Sequence, residues 1–495
     1  MKQFILCLDQ GTTGNTALLL DEKLNIAAQH NIEFTQHYPQ NTWVEHDSRE
    51  IWQSMLTAIE TVLENANITG QQIAAIGITN QRETTVLWDK KTGEPIAPAI
   101  VWQCKRSHAI CQQLKQHEAL IHEKTGLFMD PYFSASKIRW LLDHHPKAKN
   151  LAQSGQLAFG TMDSFLLHML SQGKKHCTDV SNASRTLLMN IHDLTWDKEL
   201  LDLFNLPHSI LPEICDSSAV VGHTQGLRIL PDGIPIAGIA GDQQAALFGQ
   251  ACFEEGQAKC TYGTGAFLLQ NLGNKRPISD QGLLTTVAWR INGKTHYALE
   301  GSVFIAGAAV SWLRDQLGII KNSSEIETLA KAVNNSDGVM FIPCLSGLGA
   351  PYWQPQAKGM ITGLTRSSNK AHIAYACLEG IAQQVCDLIK AFETTTGQSF
   401  EHLKVDGGAC KNDLLMQIQT DLLGFNLHRP QYLETTAIGA GMLAGLAVNF
   451  YPDQNYLQKN LSMDSHFNAQ MTAKDRLQKR MFWEKLLHAH TAHEN

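Results

Sequence analysis

The amino-acid sequence predicts an α/β protein made of two similar domains that face a shared cleft. Three observations carry this prediction. Short runs rich in Val, Ile and Leu alternate with longer helical patterns, as in a sheet covered by helices. A strand, a Gly/Thr turn and a second strand occur near the N-terminus and again from Ala258 to Leu269, about half the chain apart. Finally, 495 residues with 43% hydrophobic and only 18% charged side chains describe a large interior with little surface. That balance excludes a single small module and a mainly disordered chain.

Taken in order, Phe4 to Leu8 and Ala17 to Leu20 are apolar strands joined by Asp9-Gln10-Gly11-Thr12-Thr13-Gly14. From Arg49 to Leu63, Ile51, Met55, Ile59 and Val62 recur at helical spacing and define one buried face. Ile73 to Thr79 and Thr84 to Trp88 read as strands, and Ile234 to Ala240 as another that turns at Gly241-Asp242 into a helix over Gln243 to Gln250. The second hairpin is Ala258-Lys259-Cys260-Thr261-Tyr262-Gly263-Thr264-Gly265-Ala266-Phe267-Leu268-Leu269. Leu403 to Val405 is a strand, and Asp406-Gly407-Gly408-Ala409-Cys410-Lys411-Asn412 leads from it into a helix over Leu414 to Leu423. The repeat places the boundary near residue 250, giving domains 1–250 and 251–495. From about residue 452 a more polar tail begins, whose His488, His490 and His493 suggest a metal less than they suggest a solvated segment.

Charge narrows the partners. Lys and Arg total 40 against 47 Asp and Glu, a net charge of -7, so no global positive field holds nucleic acid or an anionic membrane. Eleven scattered cysteines without CxxC spacing fit a reducing compartment. The apolar run at the N-terminus stops at Asp9, far short of a signal-peptide core, and no stretch reaches about 18 apolar residues. A cytoplasmic protein without membrane insertion is expected.

Candidate chemistry sits at the turns. Glycines between Asp9 and Gly14 let a backbone approach a ligand, and threonine hydroxyls add donors, a composition that suits phosphate. A carboxylate at a strand end suits Mg²⁺, which takes few carboxylates and keeps much of its water, so Asp9 is the candidate metal ligand. An ordinary hairpin would use the same turn residues, but Gly263-Thr264-Gly265 repeats them, as two grips on one polyphosphate would. No GxxxxGK[ST] or protein-kinase motif set is present. The glycines after Asp406 open a helix whose N-terminus suits a nucleotide. Asn80-Gln81-Arg82-Glu83-Thr84 and Gly241-Asp242-Gln243-Gln244 place charged and amide groups at strand ends, where α/β sheets bind ligands. Arg82 and Glu83 also read as a structural ion pair, Asp242 as a helix N-cap, and Trp102, Tyr132 and Phe267 as core aromatics. A small polyol, however, needs an apolar wall along its carbons and charged groups along its hydroxyls.

These motifs resemble those of the glycerol kinases in the FGGY carbohydrate-kinase family, over Phe4 to about Leu446. Besides the turns above, the likeness rests on Trp43-Val44-Glu45-His46-Asp47, Asp130-Pro131-Tyr132-Phe133-Ser134, Gly238 to Gln250, and Gly347-Leu348-Gly349-Ala350-Pro351-Tyr352-Trp353. The family's two general signatures correspond to Tyr132 to His144 and Gly359 to Glu379. The resemblance implies two ribonuclease H-like domains, as in actin, hexokinase and the Hsp70 ATPase, and transfer of phosphate from ATP to glycerol. Arg82, Glu83, Tyr132, Asp242 and Gln243 would bind glycerol, with Trp102 and Phe267 as the apolar wall and Asp242 as the base. Asp9 would serve Mg²⁺. Thr12, Thr13, Gly14 and Thr264 would hold the phosphates of ATP or ADP, and Gly307, Ser311, Gly408 and Asn412 the rest of the nucleotide. A homo-oligomer, dimer or tetramer, is also implied. The chain departs from the family where Gly14-Asn15-Thr16 replaces Ser-Ser-Arg, and where Ser311 replaces a usual Gln. Both departures touch the nucleotide.

Overall fold

Near-continuous apolar strands set between helices call for a sheet buried on both faces, and the described residues build one long sheet of 13 strands. The computed structural model describes residues 2–279, 281–354 and 356–492. The sheet strands are β1 (Phe4–Gln10), β2 (Gly14–Leu20), β3 (Ile26–Glu33), β4 (Ile73–Asn80), β5 (Ser218–His223) and β6 (Pro235–Gly241). They continue as β7 (Ala258–Tyr262), β8 (Ala266–Asn271), β9 (Leu284–Ile291), β10 (Lys294–Val303), β11 (His402–Asp406), β12 (Asn426–Pro430) and β13 (Met463–Phe467).

Their order contains one motif twice. In the first half the order is β3-β2-β1-β4-β6, with the first three strands antiparallel and the last two parallel to β1. In the second half β10-β8-β7-β11-β12 repeats the order and directions. This is the ribonuclease H-like arrangement, so the short hairpin echo in the sequence marks the first two strands of each copy. The copies join edge to edge through β5 and β9, where Ser218 pairs with Ile291.

Eight helices matter for the site: α1 (Ser48–Asn65), α2 (Ser134–His144), α3 (Asp242–Gly249), α4 (Gly307–Asp315), α5 (Lys370–Thr396), α6 (Asp413–Leu423), α7 (Thr435–Ala447) and α8 (Ala473–Ala492). Asp47 caps α1 by accepting the Arg49 N–H, and Ile51, Met55, Ile59 and Val62 are all buried, as the helical spacing requires. Residues between β4 and β5 add a separate core around Leu87, Ile100, Phe133, Phe159 and Phe204.

Helix α7 belongs by sequence to the second half but packs on β4, β6 and β1 of the first and along α3. Its glycines and alanines explain the approach. A Cβ on Gly439 would stand 1.8 Å from the Ala245 carbonyl oxygen, and one on Gly249 2.0 Å from that of Thr435. The two helix backbones are therefore in direct contact.

Three expectations need correction. The strand expected from Thr84 starts at Val86, because residues 81–85 form a turn in which Glu83 takes φ +61°. A 3₁₀ turn, Gly408–Lys411, precedes α6 rather than the helix opening directly on the glycines. Most importantly, the segment after residue 452 is not a solvated tail. β13 pairs with β12, and α8 lies along α5, where Lys479 pairs with Glu379 and Arg480 Nη2 with Asp387 at 2.5 Å. The fully buried Trp483 donates to Asp387 at 2.9 Å. Buried carboxylates on α5 need cationic partners, and Lys479 and Arg480 supply two, while much of the rest of the segment stays exposed. His490 bonds the Lys358 carbonyl at 2.7 Å. His493 lies outside the described residues, among which no group of His, Cys, Asp or Glu is arranged to hold a metal.

The Gly439 contact generates a test. Gly439→Ala is expected to cost about 1–3 kcal/mol or more by overpacking the α3–α7 seam, whereas Gly408→Ala, whose Cβ would meet nothing within 4 Å, stays within about 0.5 kcal/mol. Thermal unfolding of the two variants checks the contrast; equal losses would mean the seam yields.

Candidate active site

The first hairpin turn is built by a Gly11 N–H bond to the Gly14 carbonyl at 2.9 Å. Thr13 is exposed at its tip, and Thr12 is partly buried. Thr12 is the better anchored of the two. Its hydroxyl accepts from Trp102 Nε1 at 3.1 Å, and its carbonyl accepts from Gln36 Nε2 at 2.9 Å. Gln36 Oε1 in turn meets His46 Nε2 at 2.7 Å, while His46 Nδ1 meets Gln81 Nε2 at 3.1 Å. That pattern needs the neutral His46 tautomer with its proton on Nε2, and burial together with His37 pushes His46 down to about 4. A neutral relay thus connects the first turn to the strand end at Gln81. Gly14 is buried, and a Cβ there would stand 2.9 Å from the Ile32 carbonyl oxygen.

Across this hairpin Asp9 pairs with Thr16, so both side chains share one face. Thr16 Oγ1 accepts from Asn31 Nδ2 at 2.8 Å. Asn15 points the other way, towards α1, bonding the Ile51 carbonyl and Ser54. Burial, and then the charge of Asp242, pushes the Asp9 carboxyl up to about 7. The charge of Asp242 therefore opposes the ionisation of Asp9.

Beneath them is a cluster of four buried charges. Arg82, Glu83, Arg185 and Glu300 are each at most 3% exposed. Arg82 grips Glu300 through two bonds, Nη1–Oε2 at 2.5 Å and Nη2–Oε1 at 2.8 Å. Arg185 Nε bonds Glu83 at 2.6 Å, and its Nη2 bonds Glu300 at 3.1 Å. Arg82 Nε remains for Asp242, 3.1 Å away. Against burial, the guanidiniums of Arg185 and Arg82 hold Glu300 down at about 2, while for Glu83 burial wins and its pKa is raised. Arg82 and Glu83 are sequence neighbours, yet 3.9 Å separates their charged atoms; each takes its close partner from elsewhere in the chain.

Asp242 is the first residue of α3, with Gly241 in the N-cap position, so it is not the cap that its turn context suggested. Its side chain accepts the Gln243 N–H at 2.7 Å and stays 32% exposed, the open end of an otherwise buried chain of charge. Tyr132 is partly buried, its ring 5.6 Å from that of Trp102. Lys137 of α2 donates to the carbonyls of Tyr132 and Phe133 and so braces that turn. Phe267 pairs across the sheet with Thr261 and is partly exposed; the face it shares with Thr261 and Lys259 is the one that reaches Gln243.

The second turn is locked from behind. The Thr264 carbonyl accepts from Ala306 and Ala308, and the Gly263 carbonyl from Gly307, all N-terminal to or within the first turn of α4. The Thr264 side chain remains exposed. A Cβ on Gly307 would stand 2.6 Å from the Gly263 carbonyl oxygen, and Ser311 follows one turn along α4. Gly407 has φ +87°, and Gly408 faces open space. Asn412 caps α6 by accepting the Leu415 N–H at 2.9 Å. The candidate nucleotide residues thus fall on the second hairpin, α4 and the entry to α6. The candidate acceptor residues fall on the ends of β4 and β6 and the segment before α2, with Phe267 reaching across from the second half.

The sequence reading missed Arg185, Glu300 and Lys259. Glu300 follows Ala298-Leu299 in an apolar strand, and Lys259 stands between Ala258 and Cys260. A charge inside an apolar strand requires a buried partner, which is a legible signal. Arg185 has no comparable local signal.

The raised Asp9 carboxyl gives a pH test. Its folded-state value lies above the ordinary 3.8, so ionising it costs stability that grows as pH rises from about 4 to about 7 and then levels off. Asp9→Asn, which cannot ionise, is expected to gain roughly 1–3 kcal/mol over wild type at pH 8, after allowing for solvent at the carboxyl, with the gain shrinking towards pH 4. Thermal unfolding at several pH values measures it; a pH-independent difference would contradict the assignment.

Comparison with known proteins agrees with this architecture. Residues 4–249 match the N-terminal domain of the FGGY family of carbohydrate kinases and residues 258–448 its C-terminal domain. The glycerol kinase of Bdellovibrio bacteriovorus is 51% identical over 490 residues, 98% of this chain and 99% of its own. That of Thermoanaerobacter sp. (strain X514) is 52% identical, covering 98% of each. The crystal structure of Plasmodium falciparum glycerol kinase with ADP superposes with a TM-score of 0.92 at 37% identity and 98% coverage of both chains. A xylulose kinase from Lactobacillus acidophilus, at 21% identity and a TM-score of 0.86 over 99% of this chain and 98% of its own, shares the fold. With both domain models matched and half of its residues identical to such relatives, the chain belongs to the FGGY family of carbohydrate kinases.

Proposed function

We propose that this protein transfers the γ-phosphoryl group of ATP to glycerol, giving sn-glycerol 3-phosphate and ADP. The observation that carries the reading is the pairing of Asp242 with Arg82 Nε at 3.1 Å, at the open end of a buried charge cluster. It offers an ordered carboxylate to a hydroxyl while the cluster holds its orientation. The near-full-length identity to glycerol kinases supports glycerol as the acceptor, and the neighbour solved with ADP supports the adenine nucleotide.

In this reading residues 1–250 mainly bind the acceptor and residues 251–495 the nucleotide. Arg82, Glu83, Tyr132 and Gln243 hold the glycerol hydroxyls, and Trp102 and Phe267 flank its carbons. Thr12, Thr13 and Gly14 on one side and Thr264 on the other hold the phosphates, while Gly307, Ser311, Gly408 and Asn412 border the nucleoside. Asp242 accepts the proton of a primary hydroxyl as its oxygen forms a bond to the γ-phosphorus. The bond from that phosphorus to the bridging oxygen breaks, and its electron pair leaves with ADP. Most of the acceleration comes from position and electrostatics. Asp9 suits Mg²⁺, since burial and then the charge of Asp242 push its carboxyl up to about 7 and a bound cation would favour its ionised form; Mg²⁺ would neutralise phosphate charge when bound. A homo-oligomer, dimer or tetramer, belongs to the same reading, and Leu477, Met481 and Phe482, exposed on α8, offer an apolar surface for it.

An ADP-release assay with glycerol, dihydroxyacetone, xylulose or no acceptor tests the proposal. Glycerol is expected to be preferred, with slow release without acceptor; equal rates in all four would leave an ATPase. Asp242→Asn is expected to lower kcat by at least about 10²-fold, with glycerol binding changed only a few fold. Near-normal turnover would remove Asp242 as base.

Position 16 gives an independent test of the nucleotide side. Thr16 shares the Asp9 face of the hairpin, so Thr16→Arg places a guanidinium beside the phosphates, where a partly desolvated charge acts strongly. A lower KM for ATP with glycerol KM unchanged is expected from steady-state kinetics at saturating glycerol. Unchanged or poorer ATP use in a folded variant would place the phosphates away from this position.

A further inference from the structure

Helix α3 carries Asp242 and Gln243 in its first turn, and both its ends are held by buried lysines of the second half. Lys404, 7% exposed on β11, donates to the carbonyls of Gln250 and Ala251 just beyond the C-terminal end of α3, at 2.6 and 3.1 Å. There its charge satisfies orphan carbonyls and opposes the negative end of the helix dipole. Its register partner on β7, Lys259, is fully buried and lies at the other end. Lys259 Nζ donates to Gln243 Oε1 at 2.5 Å and to Thr261 Oγ1 at 2.7 Å.

An ammonium group has donors and no acceptor, so it selects the oxygen of the Gln243 amide and excludes the amide nitrogen. With one lone pair of that oxygen taken by the ammonium, the amide orientation is fixed and its NH₂ is left to meet a ligand. A ligand hydroxyl facing that NH₂ accepts from Gln243. Gln244 is already committed to Arg82, Thr286 and the Val287 carbonyl. Asp406, 1% exposed, is held by Gln250 and Thr435 through one oxygen, its other oxygen lacking a hydrogen-bond partner among the described residues. Burial pushes the Lys259 pKa down, and the carboxylates of Asp406 and Asp242 oppose that. Lys259 also stands four residues before Gly263 on the strand that runs into the second turn.

We propose that Lys259 is a positioning residue for the phosphoryl acceptor, fixing the orientation of the Gln243 amide and tying the acceptor turn to the hairpin of the nucleotide half. The proposal rests on the glycerol kinase reading and deepens it. A side chain buried to neutralise Asp406 would serve stability alone; one that orients Gln243 must act on glycerol through Gln243.

Steady-state kinetics separate these roles. Lys259→Met is expected to raise glycerol KM at least tenfold while ATP KM changes less than about threefold. Lys259→Gln, which keeps a donor of similar reach, should fall between Met and wild type and serves if the Met variant does not fold. Combined with Gln243→Leu, Lys259→Met should add little further to glycerol KM, because both remove one interaction. Lys404→Met is the comparison, expected to lower the unfolding temperature without separating the two KM values. If Lys259→Met behaves like Lys404→Met, or if its effect multiplies fully with that of Gln243→Leu, the positioning role is overturned. A wild-type enzyme without glycerol-dependent ADP release would overturn the acceptor reading itself, and this proposal with it.

Discussion

The four buried charges of Arg82, Glu83, Arg185 and Glu300 are the constraint on which the rest of the site depends. Three come from the first half and Glu300 from the second, so the cluster closes only when the two copies of the fold are side by side. Its net charge is zero, which makes burial tolerable, but removing one member would leave an uncompensated charge and cost about 3–5 kcal/mol. Such a cluster contributes more to uniqueness than to stability, because apolar residues of equal volume would cost less to bury. What it provides is an Arg82 held by two bonds to Glu300, with its Nε directed at Asp242. It also accounts for the left-handed backbone of Glu83, a conformation that a non-glycine residue keeps only where surrounding contacts over-determine it.

Around this cluster the two halves are joined unequally. The sheet edge contributes one pairing, Ser218 with Ile291. The larger join is α7, whose small residues press backbone to backbone against α3 and against Gly77 of β4 and Gly238 of β6. Rigid contact there holds α3 along its length while Lys259 and Lys404 hold its two ends. Helix α3 is therefore over-determined, as the proposed transfer, a reaction governed by position, would require. The residues proposed for the nucleotide are more open: Thr13, Thr264 and Gly408 all face free space or solvent.

Much of this was legible in the chain. Periodicity placed α1 and its buried face, and the repeated Gly/Thr hairpin predicted two similar halves, because local turn chemistry is written in adjacent residues. Motif resemblance identified the family and nominated Asp9, Arg82, Glu83, Tyr132 and Asp242 without reference to distance. The segment after residue 452 was misread for a general reason: composition reports that a segment is polar, and only packing reports whether its charges meet water or the buried Glu379 and Asp387.

The sequence by itself determined the fold class, the repeat and the residue types at each turn, since these depend on neighbours within a few positions. Tertiary structure alone decided which charges pair. Arg82 is adjacent to Glu83 yet takes Glu300, 218 residues away, and Glu83 takes Arg185, 102 residues away. A guanidinium favours a carboxylate that it can meet through two N–H groups at once, as Arg82 meets Glu300, and the left-handed turn at Glu83 directs that carboxylate elsewhere. Lys259, unremarkable within its strand, becomes a neighbour of Gln243 only because one copy of the fold lies against the other.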